Sequence, residues 1–215
     1  MVRFSSDVDL LKWEPVLFRD LALPSQTLCQ GTAGVLSGTS FSSANETFIS
    51  RGVASGQVIY LQGEEIEGCF EVISVESETA LMVSVVRSSA EEEAVAPPGD
   101  VGLQYRISTF DPQAEEVAYG LRQYFGIESE EGSEEGWGVL NPRVLRQAAV
   151  FGVLSAMFAG SACGDHENEG FWRKSLRYQK LFHTARSRSR LQIDTDSDQR
   201  ANTYSSGGTV RLRRV

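Results

Sequence analysis

The chain has 215 residues, enough to bury one large core or two smaller ones, and its 41% hydrophobic and 23% charged residues exclude a disordered polyelectrolyte. Three cysteines and two histidines at scattered positions exclude a disulfide framework and offer no zinc-ligand spacing. The net charge of −9 is unevenly divided: residues 171–215 hold eleven Lys+Arg against three Asp+Glu, net +8, while residues 1–170 hold nine against twenty-six, net −17.

In chain order, MVRFSSDVDLLKWEP carries Asp7 and no long apolar run, so it does not read as a signal peptide. An odd number of thiols fits a reducing cytoplasm. The stretch DVDLLKWEPVLFRDLALP predicts a short helix capped by Asp7 and limited by Pro15 and Pro24. From Leu28 to Phe110, Gly, Ser and Thr punctuate apolar alternation. QVIYLQ (57–62), CFEVISVE (69–76), TALMVSVVR (79–87) and LQYRIS (103–108) predict strands, the second and third joined as a hairpin at Ser77 and Glu78. Short antiparallel strands of this kind predict a small barrel or sandwich. The segment 88–100 predicts a polar loop.

Asp111-Pro112 opens a helix, with Val117, Leu121 and Tyr124 on one face and Gly126 at its end. The Glu-rich run of residues 128–135 predicts an exposed loop. Asn141-Pro142 opens a second helix, apolar all round, which Gly164 closes. Its uncharged part, Ala148 to Cys163, is shorter than the roughly 20 residues a membrane span needs, so a buried core helix is expected. Within it Ala148, Gly152, Ala156 and Gly160 form a small-residue ridge for close helix packing. The helix needs to be enclosed, either by neighbouring copies or by the rest of its own chain. A third helix runs from near Asn168 toward Leu191, with Phe171, Trp172, Leu176, Leu181 and Phe182 as its expected core residues.

The sequence carries no recognisable catalytic or metal-binding signature. An EF-hand counted from Asp194 would place Gln199 where Gly is required and Ser205 where the bidentate Glu is required. Asp194, Asp196 and Asp198 are therefore expected to mark a helix exit. Cys163, Asp165, His166 and His183 lack a zinc spacing. Gly31, Gly34 and Gly38 make no phosphate loop, and no G-x-S-x-G elbow occurs. No enzyme activity, cofactor or metal is expected. Tyr178 with Arg173, Arg177 and Lys180 could contact phosphates.

The order of a short N-terminal helix, a bundle with an apolar helix, then FWRKSLRYQKLFHTARSRSRLQIDTDSD and a strand-forming tail resembles the head-to-tail connector adaptor (head-completion) proteins of tailed bacteriophages. The stretch GQVIYL through ETALMVSVV is similar to small barrels of phage neck and tail proteins. The resemblance implies an α+β fold. Residues 1–27 and 111–190 would form a helical adaptor core of about four helices, residues 28–110 an inserted β module (a small antiparallel barrel or sandwich), and residues 191–215 an extended C-terminal arm. It also implies a virion protein, assembled in the host cytoplasm and outside any membrane, forming a homo-oligomeric ring of about twelve copies. That ring would bind the portal protein and a neck or tail-terminator protein, and genome DNA would pass through it without specific binding. Arg200, Arg211, Leu212, Arg213 and Arg214 map onto the portal-binding arm, which would fold on binding. Two other expectations stand beside it. One is another neck or tail component that binds through the β module. The other is a nucleic-acid-binding module that uses the basic C-terminal arm.

Overall fold

The computed structural model describes residues 3–127, 138–162, 169–194, 200–201 and 203–206. The fold is α+β, in two compact units: Ser6–Asp111, and Met1–Ser5 with Pro112–Val215.

The first unit is a closed antiparallel barrel with two short helices. Its elements are α1 (Asp7–Trp13), α2 (Leu17–Asp20), β1 (Thr27–Ser37), β2 (Ser40–Ser42), β3 (Val58–Gln62), β4 (Glu67–Ser77), β5 (Ala80–Ser84) and β6 (Asp100–Ser108). The strands close in the order β1-β2-β5-β4-β3-β6. The predicted hairpin is present, with Ser77 opposite Ala80. The sequence pattern does not mark β1 and β2. Their Gly- and Ser-rich sequence hides a strand because the interior beside them is filled by aromatic rings. A Cβ on Gly31 would lie 2.6 Å from the Tyr105 hydroxyl oxygen, and one on Gly34 would lie 2.7 Å from the Phe41 ring. Phe41 and Tyr105 pack edge to face at 5.1 Å between centroids.

The domain boundary differs from the expected one. Residues 6–27 belong with the barrel and not with the later helices. Leu10, Leu11, Leu17 and Phe18 are buried there, and the Arg106 guanidinium donates to the Phe18 and Arg19 carbonyls at 2.6 and 3.1 Å. The ends of the unit meet where the Phe110 N–H donates to Asp7 Oδ1 at 2.9 Å. The cap of α1 is Ser6 rather than Asp7. Ser6 and Asp9 form a reciprocal capping box, which leaves the buried Asp7 carboxylate for the Phe110 contact.

The second unit holds α3 (Asp111–Phe125), α4 (Arg146–Ala162), α5 (Glu169–Arg188) and a three-stranded sheet. The sheet order is β7 (Gly138–Val139), β8 (Arg190–Asp194) and β9 (Thr203–Ser206). Gly126, at φ +64°, closes α3. Its N–H bonds to the Gln123 carbonyl and that of Ile127 to Arg122, a Schellman close. The helix of Pro142–Ala162 is long and apolar enough to cross a membrane. Ala148 through Leu154 are nevertheless buried by the chain itself, so this part is a core helix. α4 and α5 are clasped reciprocally: Ser155 Oγ donates to the Ser175 carbonyl at 3.2 Å, and Ser175 Oγ to the Ser155 carbonyl at 3.0 Å.

Two expectations are corrected here. Residues 191–194 and 203–206 do not belong to a free arm: they lie in paired strands, and Leu191 and Ile193 are 0% and 1% exposed within the helical core. On α5 the buried face is Ser175 and Tyr178, while Trp172 and Leu176 are 49% and 41% exposed.

Candidate functional site

The small-residue ridge of α4 divides into two halves. Ala148 and Gly152 are buried. A Cβ on Gly152 would come within 2.8 Å of Val117 Cγ1 and 3.2 Å of the Phe182 ring, so this half packs against α3 and α5 of the same chain. Ala156 and Gly160 are exposed, and nothing lies within 4 Å of a Cβ built on Gly160. The sequence alone does not divide the ridge, since all four residues repeat at the same spacing.

The exposed half lies beyond the Ser155–Ser175 clasp, where α5 begins with exposed Trp172. Arg173, Arg177, Lys180 and Arg188 are also exposed on α5, at a spacing that gives one helical stripe. Arg173 pairs with Glu169 at 2.6 Å across one helical turn. Tyr178 does not join this stripe. It is buried between Phe151 and Phe158, each at 5.9 Å between ring centroids, so it cannot face a phosphate. His183 is exposed. Arg186, which the sequence does not single out, is held over the Tyr124 ring at 3.9 Å and the Phe182 ring at 5.0 Å, binding α5 to α3.

Of the expected portal-binding residues, Arg200 is exposed. Arg211, Leu212, Arg213 and Arg214 lie outside the described residues, as do Asp196, Asp198, Cys163, Asp165, His166 and the acidic run of residues 128–135. Asp194 ends β8 and is buried.

The barrel unit carries a groove of about 400 Å³, whose lining includes Thr27, Cys29, Gln30, Glu46, Arg51 and Arg106. It follows the seam where β1 leaves the closed sheet. β1 pairs with β6 from Thr27 to Leu36, but with β2 only at Val35, Leu36 and Ser37. Register shifts between Thr27 and Cys29, and again between Gly31 and Gly34, bend β1 along this stretch. Tyr105 Oη hydrogen-bonds Ser43 Oγ at 2.9 Å and Glu46 Oε2 at 3.0 Å, closing the inner side of the groove. Burial, followed by the charge of Glu46, pushes the Cys29 thiol up to about 12, so it is a neutral wall and not a nucleophile. No protein family, curated protein or solved structure matches the chain.

Proposed function

We propose that the chain is a structural protein of a tailed-bacteriophage head-to-tail connector. Copies would associate through the helical unit into a homo-oligomeric ring between the portal and the neck or tail, and genome DNA would pass through it. The observation that supports this reading is the exposed half of the α4 ridge, Ala156 and Gly160, at the same end of the helical pair as exposed Trp172. Small residues let a neighbouring helix approach closely, and a solvent-facing Trp is a common interface anchor. The segment after Ser206, which holds Arg211, Arg213 and Arg214, is the portal-binding tail in this reading.

The test uses sedimentation velocity and electron microscopy of the full chain, alone and with portal rings. Gly160→Leu has room within its own chain, so it should leave the melting temperature unchanged while abolishing ring formation. Truncation after Ser206 keeps β9 and should leave rings that no longer bind portal. Rings formed normally by Gly160→Leu and by Trp172→Glu would refute the interface. Unimpaired portal binding by the truncated chain would refute the tail's role.

The exposed basic stripe of Arg173, Arg177, Lys180 and Arg188 supports a second reading, nucleic-acid contact. Under it, duplex affinity would fall steeply with salt and would drop when Arg177 and Lys180 are both replaced by Ala. Under the connector reading both substitutions leave ring assembly intact.

A further inference from the structure

Residues 6–111 contain five Lys+Arg and sixteen Asp+Glu, so the barrel unit has a net charge of −11. Three of its five cations are engaged locally. Arg19 pairs with Asp20 at 2.8 Å, Arg87 pairs with Glu71 at 2.8 Å, and Lys12 donates to the Ser88 carbonyl at 3.2 Å. The other two, Arg51 and Arg106, both line the groove beside β1. Arg106 spends one nitrogen on the Phe18 and Arg19 carbonyls and has no carboxylate partner, and its buried Nε has no hydrogen-bond partner. Among the described residues, the Arg51 guanidinium makes no hydrogen bond or ion pair; only its backbone N–H is engaged, donating to the Thr47 carbonyl at 2.8 Å. Glu46 is the groove's one anion, and Tyr105 holds it. Of the three cations in this acidic unit that form no ion pair with a carboxylate (Lys12, Arg51 and Arg106), two thus line one cavity.

The same cavity adjoins an unpaired strand edge. On the side opposite β6, no strand among the described residues pairs with β1 between Thr27 and Gly34. Such an edge presents backbone donors and acceptors in strand register, and a protein must cover it, bend it or use it. The groove is too polar for a lipid or another apolar ligand. Its length of backbone is more than a lone anion could satisfy. Guanidinium groups set beside a strand edge match an extended chain whose alternate side chains are carboxylates, since alternate residues of a strand point the same way.

We propose that the seam groove of the barrel binds an extended acidic peptide segment of a partner protein, which adds to the Thr27–Gly34 edge of β1 and sets a carboxylate against Arg51 and Arg106. Main-chain hydrogen bonds would supply the general affinity and the two arginines the selectivity. This binding does not depend on the helical interface, so it stands or falls apart from the connector reading.

The experiment is fluorescence anisotropy with the full chain and a labelled heptapeptide of alternating valine and glutamate, at about 0.15 M salt to screen the surrounding acidic surface. Saturable binding is expected. Arg51→Ala should weaken it about tenfold, the scale of one lost charge-assisted contact. Arg51 is exposed, so this change should leave the fold intact. A glutamine version of the peptide should bind no better than the Arg51→Ala pair. A version with methylated backbone nitrogens should not bind, because it cannot pair with a strand. Absence of saturable binding by the glutamate peptide would overturn the proposal, as would equal affinity for Arg51→Ala or equal affinity of the methylated peptide. Arg51-dependent binding of a single-stranded oligonucleotide without peptide binding would also overturn it.

Discussion

Gly31 and Gly34 sit where β1 passes the Tyr105 and Phe41 rings, and the absent side chains are the space those rings fill. Gly34→Val is expected to cost roughly 1–3 kcal/mol through overpacking. Phe41→Leu in the same chain should recover part of that loss, because the two residues share one volume. A double-mutant cycle by urea unfolding checks this, and strict additivity would mean that the residues do not meet. Tyr105 and Cys29 set the pH response of the same interior. Burial is the first cause in both, and each rises to about 12 from ordinary values of 10.0 and 9.0. An acid kept neutral in the fold ionises more readily once unfolded, so the unfolded chain loses protons first as pH rises. The stability these groups contribute is therefore full below pH 9 and is lost progressively between pH 9 and 12. The urea midpoint should be level from pH 7 to pH 8 and should fall steeply above pH 10, and Tyr105→Phe should flatten that fall.

Among the elements, α4 is the clearest case of one repeat serving two environments. Gly152 has Val117 and Phe182 against it, whereas Gly160 has open space. Gly152→Leu should therefore lower stability by about 1–3 kcal/mol or more. At Gly160 the same change should be neutral or slightly stabilising, since Gly is a poor helix former. Thermal melts of the two variants check the contrast, and equal effects would contradict the division of the ridge. β8 is the other element whose role depends on packing. It alternates exposed Arg190 and Gln192 with buried Leu191 and Ile193. Its pairing with β9 is reinforced where Ser205 Oγ donates to the Phe125 carbonyl at 3.0 Å.

At the scale of the whole molecule, the chain folds as two units, each with its own buried core. The barrel unit has adjoining ends at Asp7 and Phe110 and a closed sheet, so residues 6–111 should fold as an isolated fragment. A single cooperative unfolding transition, with the strand signature in circular dichroism, is the expected result. A fragment from Leu28 to Phe110 should be markedly less stable, because it lacks Leu10, Leu17 and Phe18, which are almost fully buried in the intact unit. Equal stability of the two fragments would return α1 and α2 to a role outside the barrel.

Periodicity marks β3 to β6, α3 and α5, whose apolar residues recur at the spacing the backbone imposes, whereas α4 shows as an unbroken apolar run after the Asn141-Pro142 signal. Pro and Gly signals likewise fixed where α3 begins and ends. The charge division and the absence of catalytic spacing were also properties of the sequence. Four features were decided only by tertiary structure. β1 is a strand because distant aromatic rings need its glycines, and residues 6–27 join the barrel because Leu10, Leu17 and Phe18 find their apolar surroundings there. Leu191 and Ile193 turn an expected arm into sheet by filling the core of the helical unit. The groove arises where β1 parts from β2 and leaves Arg51 and Arg106 beside an unpaired edge. Each depends on residues far apart in sequence meeting in space, and local pattern holds no record of such a meeting: a glycine beside a ring and a glycine in a loop read alike until the ring is placed.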